Sequence, residues 1–367
     1  MSEPDPVGFR TLGELEAAAS RTLPAALWDY VQGGAGEERT VRANRAAFQA
    51  RVLRPRVLAD VRSIDLRTTV LGQRVRLPIF VAPTAYQGSI HPEGEAGTAR
   101  GAADWGALAV FSTLSSQSLE AIAEAAPGGP RWFQLYLQPD RSVTRRLVER
   151  AETAGYRAIV LTVDVPLLAN RDRQARGGFA LDAPVPVGNG PDVLSPSRAP
   201  VDDGDAYRIR DDAGATWETL TELRNYTSLP LVVKGILTAE DARRAVDHGA
   251  RGIVVSNHGG RQVDGAPASL DALSEVVAEV GTEAEVYLDG GARRGTDVVL
   301  ALALGARAVG LGRPVLWALA VGGSAGVSRL FELLGRELAT VMALAGRRSL
   351  LELGPELVGR SPYSSLV

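Results

Sequence analysis

The chain of 367 residues contains no cysteine. That excludes a disulfide framework and thiolate metal sites. Histidine is scarce. His91, His248 and His258 stand far apart, and neither an H-E-x-x-H pattern nor an acidic cluster offers a metal site. Lysine is scarcer still: of 40 Lys+Arg residues, Lys234 alone is lysine. No apolar run reaches the ~20 residues a bilayer span needs. The opening MSEPDPVGFR lacks the basic-then-apolar order of a signal peptide. The net charge of −3 gives no footprint for nucleic acid or an anionic membrane surface. These absences lead to the expectation of a cytoplasmic protein that binds neither.

What is present alternates. Residues 9–60 read as a helical cap, because apolar residues recur at helical spacing in TLGELEAAASRTLPAALWDYVQGG. Pro24 suits a first helical turn and Gly33-Gly34 ends the run. From residue 77, the β-rich runs LPIFVAP, LAVFS, WFQLY, AIVLTVD, LVVKG, GIVVSNHGG, VYLDGG and AVGLGRP alternate with amphipathic helical stretches. Eight such units are the number that closes a (β/α)8 TIM barrel, here over residues 77–345 of one domain spanning 1–367. An open doubly wound sheet usually begins with a glycine-rich first turn, and no G-x-G-x-x-G follows the first run. Between runs four and five, residues 177–215 hold Pro184, Pro186, Pro191, Pro196 and Pro200, with seven Asp against three Arg. This stretch reads as a long, mobile, acidic lid loop.

Polar side chains gather where the β-runs end: Thr84, Ser112, Gln134 with Tyr136, Thr162 with Asp164, Lys234, Ser256-Asn257-His258, Asp289 and Arg313. In a TIM barrel the C-terminal rim is where sites are built. Lys234 closes the apolar run LPLVVK. A charge there needs a partner, so it points to an anion or a developing negative charge. His248 near a helix end and His91 before a helix read as structural. His258, in SNHGGRQ with Arg261 three residues on, pairs a proton acceptor with a carboxylate fork. DGGARRG and GLGRP each put Gly and Arg just before a helix. Such turns bind phosphate through free N–H groups and guanidinium forks.

These segments resemble one family, the FMN-dependent 2-hydroxy acid oxidases and dehydrogenases. The similarity runs from WDYVQGGAGEERTVRANRAAF through APTA, HPEGE, WFQLY, LTVDVP and VVKGILTAEDA to SNHGGRQ, LDGGARRGTDV and GRPVLWALA. It implies that FMN rests on Ala82, Pro83, Thr84, Ser112, Gln134, Thr162, Lys234 and Ser256, with Asp289 on the ribityl chain. It places the phosphate on Gly291, Arg293, Gly312 and Arg313. Tyr30, Tyr136, Arg171, His258 and Arg261 would hold the substrate. His258 would act as the base oriented by Asp164, with Tyr136 on the substrate hydroxyl and Lys234 stabilising the reduced flavin.

The resemblance further implies oxidation of an (S)-2-hydroxy acid to the 2-oxo acid by O2, with H2O2 as product, in a homo-oligomer that family analogy makes a tetramer. Tyr86 and Leu114 depart from the glycolate oxidases, which carry Met and Trp there. The exchange opens space and adds an aromatic wall, so a larger acid such as mandelate or 4-hydroxymandelate is expected. Alternatives are the same oxidation on lactate or glycolate, a dehydrogenase using a quinone or protein acceptor, a catalytically silent flavin binder, and a flavin-free phosphate-binding barrel isomerase or lyase.

Overall fold

Eight short strands, each with side chains alternating between two apolar environments, frame the molecule. In the computed structural model, residues 8–177, 187–191, 193 and 214–361 are described. The strands are β1 (Ile79–Val81), β2 (Ala109–Ser112), β3 (Arg131–Leu135), β4 (Ile159–Thr162), β5 (Leu231–Ile236), β6 (Gly252–Val255), β7 (Glu285–Asp289) and β8 (Val309–Leu311). All neighbours pair in parallel and the ring is closed, with β8 against β1. The eight β-rich runs of the sequence are thus the eight barrel strands.

The alternation explains the interior. Phe80, Val110, Trp132, Val160, Val232, Val254 and Tyr287 form one buried cluster inside the barrel. Their neighbours Ile79, Phe111, Phe133, Ile159, Val233, Ile253 and Leu288 pack outward beneath the helices. The rings of Phe80 and Trp132 meet Tyr287 edge-on at 6.2 and 5.4 Å. The barrel is therefore plugged by packed side chains and is not a pore. A hairpin of Thr68–Val70 and Gln73–Val75 closes its N-terminal end, turning at Leu71-Gly72 with φ of 46° and 78°. Val70 and Val75 join the inner cluster, and Leu71 N donates to Glu285 Oε2 at 3.0 Å.

The expected cap is present as α1 (Leu12–Thr22), α2 (Ala25–Gln32) and α3 (Arg39–Gln49). It rests on α12 (Arg313–Leu344), where Trp28 and Trp317 lie 6.4 Å apart. By length and composition α12 could cross a bilayer, yet 67% of its most apolar window is buried inside the molecule. Gly322 and Gly323 kink it; a Cβ on Gly323 would meet Glu93 Oε1 at 2.2 Å. Residues Arg51–Leu53, which follow the cap helices, pair antiparallel with Val358–Arg360. Nothing in the sequence announces this pairing, because three-residue strands so far apart in the chain leave no periodicity to read.

Within the stretch expected to form a mobile lid, residues 187–190 make hydrogen bonds to the loop after β2 and to Leu119. Gly188 N donates to Ser115 O at 2.9 Å, and Asn189, 3% exposed, receives Leu119 N at 2.9 Å and donates to Thr113 O at 2.8 Å. Residues 178–186, 192 and 194–213 of that stretch lie outside the described residues.

Candidate active site

The strand register places the polar ring. Two residues beyond each plug residue, on the same inward face, stand Ser112 after Val110, Gln134 after Trp132, Thr162 after Val160, Lys234 after Val232, Ser256 after Val254 and Asp289 after Tyr287. Register pairs Ser112 with Gln134 and Thr162 with Lys234, so the side chains form a continuous arc at the C-terminal rim. All six are buried.

Their hydrogen bonds divide the arc. Ser112 Oγ and Thr113 N donate to Gln134 Oε1 at 3.0 and 3.2 Å, which turns the amide so that its Nε2 is left without a partner. Thr162 Oγ1 beside it is likewise buried and unpartnered. Lys234 Nζ donates to Ser256 Oγ at 3.0 Å and lies 3.5 Å from Asp289 Oδ2; Ser256 Oγ donates to Asp289 Oδ1 at 2.5 Å. Burial alone pushes the Lys234 ammonium down, but Asp289 and Asp164 outweigh it and hold it above the ordinary lysine value. The lone lysine is thus a fixed cation.

His258 follows β6 in the left-handed region, at φ 57°. Its Nδ1 meets Asp164 Oδ1 and Oδ2 at 3.1 and 3.2 Å, and its side chain is 21% exposed, so one edge can be reached. Burial pushes the imidazole down, Asp164 pulls it up, and Lys234 and Arg171 push it down again; the net value lies below the ordinary one. Burial drives the Asp164 carboxyl up, but His258 and Lys234 prevail and lower it. Asp164 has room because residue 235 is glycine. A bulge between Lys234 and Ile236 gives Gly235 φ 110°, and a Cβ there would stand 2.6 Å from Asp164 Cβ.

Around this pair the charge is positive. Arg261 Nη1 donates to Tyr30 O and Gly33 O at 2.8 and 2.7 Å, and its guanidinium lies 5.1 Å from the Tyr30 ring centre. Burial, with repulsion from Arg171, pushes it down to about 9. Arg313 binds Val31 O, Gly259 O and Gly33 O at 3.1, 2.9 and 2.9 Å; burial, with Arg293 adding repulsion, lowers it to about 10. Both remain cations at neutral pH, and neither has a carboxylate partner within 4.0 Å among the described residues. Arg171 begins α7 (Asp172–Arg176), its Nε buried and unpartnered. Arg293 is placed differently: it binds Glu16 Oε2 of α1 at 2.9 Å and lies 4.4 Å over Trp317.

The other expected residues fall at the same rim. Ala82 N donates to Leu311 O, Thr84 Oγ1 accepts Gln87 Nε2 at 3.0 Å, and Pro83 lies between them. Gly312 caps α12, and a Cβ there would lie in ordinary contact with Thr84 Cγ2 at 3.9 Å, while Gly291 O accepts Arg45 Nη1. Tyr136 N donates to Thr113 Oγ1 at 3.0 Å. Tyr86 and Leu114 are buried, and Tyr86 N donates to Leu114 O at 3.1 Å. His248 bonds Thr221 at 2.9 Å and stacks on Trp217, and His91 Nδ1 accepts Glu93 N, both structural as expected.

Sequence reasoning missed Asn44 on α3. Its side-chain amide pairs reciprocally with that of Asn257, both bonds at 2.8 Å, and so holds the His258 loop from behind. The available signal was a polar residue on the buried stripe Thr40-Asn44-Ala47-Phe48.

A barrel whose rim joins a buried lysine, an imidazole–carboxylate pair and unbalanced arginines defines an α/β-barrel oxidoreductase. The chain belongs to the FMN-dependent dehydrogenase family, which it matches over residues 19–360. It is 51% identical over 342 residues to an L-lactate oxidase of Nostoc sp., covering 91% of this chain and 94% of the relative. A 4-hydroxymandelate oxidase of Amycolatopsis orientalis is 48% identical, covering 93% and 96%. A solved mandelate oxidase with (S)-4-hydroxymandelic acid superposes with a TM-score of 0.89 at 46% identity, covering 96% and 99%. The chain is an FMN-dependent 2-hydroxy acid oxidase. The residues present fit FMN: the orphaned Gln134 Nε2 and Thr162 Oγ1 need hydrogen-bond partners that no described side chain supplies, and Lys234 adds positive charge beside them.

Proposed function

We propose that the chain oxidises an (S)-2-hydroxy acid larger than glycolate, an aromatic acid such as mandelate or 4-hydroxymandelate, to the 2-oxo acid, with O2 as acceptor and H2O2 as product. The observation that carries the reaction is the 3.1 Å His258–Asp164 pair set among buried arginines. The aromatic side chain rests on Tyr86 and Leu114, which are buried side by side after β1 and β2. The similarity to a 4-hydroxymandelate oxidase and to solved mandelate oxidases supports the same reading. A lactate-sized substrate is the second reading, favoured by the Nostoc relative.

Bound FMN supplies a two-electron acceptor. Ala82, Pro83, Thr84, Ser112, Gln134, Thr162 and Ser256 would hold its ring and ribityl chain, with Asp289 on the ribityl hydroxyls. Gly291, Arg293, Gly312 and Arg313 would hold its phosphate. Arg313 gives three of its five N–H donors to carbonyls and keeps one on each Nη. Lys234 stands ready to stabilise negative charge in a dry site. Arg171 and Arg261 would clamp the substrate carboxylate, with Tyr30 and Tyr136 completing the pocket. Asp164 occupies Nδ1 of His258, so Nε2 is the atom left to accept the substrate proton, and Asp164 stabilises the imidazolium that results. We place this activity in a cytoplasmic homotetramer.

Anaerobic mixing of the holoenzyme with glycolate, lactate, mandelate and 4-hydroxymandelate, followed at the flavin absorbance, tests the substrate. Fastest reduction by glycolate defeats the aromatic reading. Peroxide formed per acid oxidised in air tests the acceptor: a yield near one supports O2, and none supports a quinone or protein acceptor. Sedimentation at the mass of a single chain would oppose the tetramer.

A further inference from the structure

The segment HPEGE takes no part in the chemistry above, yet its second glutamate, Glu95, is 0% exposed. It lies in the first turn of α4 (Gly94–Asp104), where backbone N–H groups lack helical partners. Its Oε1 accepts Gln87 N at 3.0 Å and Ser116 N at 2.9 Å. One carboxyl oxygen therefore joins the loop after β1 to the loop after β2. Its Oε2 is buried without a side-chain or backbone hydrogen bond.

Gln87, also 0% exposed, extends the network. Its Oε1 accepts Thr98 Oγ1 of α4 at 2.5 Å, and its Nε2 donates to Thr84 Oγ1 at 3.0 Å. A further tie joins the same two loops, from Gly88 N to Ser116 Oγ at 2.9 Å, and Ala96 N of α4 donates to Gln117 Oε1 of the second loop at 2.7 Å. Tyr86, between Thr84 and Gln87, holds φ 58°. A non-glycine residue keeps that conformation only where its surroundings over-determine it, and the bonds on either side of Tyr86 do so.

We propose that Glu95 is a positioning residue for substrate selection: by clamping the amides of Gln87 and Ser116 it fixes the separation of Tyr86 and Leu114, and with it the side chain the pocket admits. The inference rests on the pocket placement given under Proposed function. Among the described residues, neither Glu95 nor Gln87 hydrogen-bonds to His258, Asp164 or Lys234, so loosening the clamp changes selection and leaves proton transfer intact.

The test compares native holoenzyme with E95Q and T98V. The E95Q amide keeps one oxygen for the two N–H groups but puts N–H donors where Oε2 has no partner. T98V removes one bond to Gln87 and keeps the side-chain volume. The readouts are kcat/KM for (S)-mandelate and for glycolate, with the limiting rate of flavin reduction by glycolate. E95Q is expected to keep its FMN and to hold that limiting rate within about twofold, while the mandelate-to-glycolate ratio shifts at least tenfold through KM. T98V is expected to move the ratio in the same direction by about threefold.

An unchanged ratio in the yellow variants, or equal loss on both acids, overturns the proposal. If E95Q does not fold, T98V decides alone. Failure of the aromatic reading would show in the native enzyme by itself, and the clamp is then read from the lactate-to-glycolate ratio of the same proteins.

Discussion

His258 is held in opposing directions. Burial, Lys234 and Arg171 disfavour its protonated form, Asp164 favours it, and the balance lies below the ordinary value. A base works only when neutral, so activity should persist below ~6.5, the usual imidazole midpoint, and fall as the pH drops through the lowered value. The acid limb of kcat/KM against pH measures this; a limb above 7 would contradict it. Asp164→Asn removes the one group that raises the imidazole. The limb should then move further down while the rate falls. His258→Ala should slow anaerobic flavin reduction by ~10²–10⁴-fold, the usual loss for a general base, with FMN retained. Reduction at the native rate would remove His258 from the proposed role. These residues were legible in the sequence because rare types stood in unusual places: the sole lysine ends an apolar run, and one histidine of three lies in a glycine-rich loop. The Arg293–Glu16 contact was not legible, because a salt bridge between a cap helix and the end of β7 leaves no pattern in either segment.

Among the elements, β5 carries more than its length suggests. Its alternation points Lys234 inward, and its bulge at Gly235 clears space for Asp164. Gly235→Ala forces a side chain into a positive-φ position, where strain costs about 1–3 kcal/mol, and also displaces Asp164. Urea unfolding should show a loss of that order, and activity should fall more steeply than flavin content. Native turnover in a folded G235A enzyme would refute the account. The sequence shows LVVKG as a strand and a lysine, but the bulge follows from how β5 pairs with β6 and abuts the loop after β4. The anchoring of residues 187–190 has the same origin. A stretch rich in Pro, Gly and Asp reads as mobile, and only its contacts with Ser115, Leu119 and Thr113 hold part of it in place.

At the scale of the molecule, cap and barrel share the His258 loop. Ala35 N donates to Gly260 O at 2.9 Å, Arg313 holds Gly259 O, and Asn44 locks Asn257. Asn44→Ala removes both amide bonds to Asn257, which keeps Pro267 O and Gly260 N, and leaves the buried Ser269 N–H without its acceptor, a loss that typically costs ~1–3 kcal/mol. The expected result is a lower urea midpoint at unchanged slope, with slower flavin reduction as the loop loosens.

The fold class was determined by the sequence alone, since eight β-rich runs with helical stretches between them admit few closed arrangements. The membership of the polar rim was legible there too, because residues 112, 134, 162, 234, 256 and 289 stand where β-rich runs end; that they share the inward face follows from the plug residues, which the structure supplies. Only the tertiary structure decided what those groups do to one another. Whether a buried amide is spent or open, how far an imidazole is shifted, and which loops move together depend on distances across chain separations of tens to hundreds of residues. Periodicity carries no information at that range, and packing does.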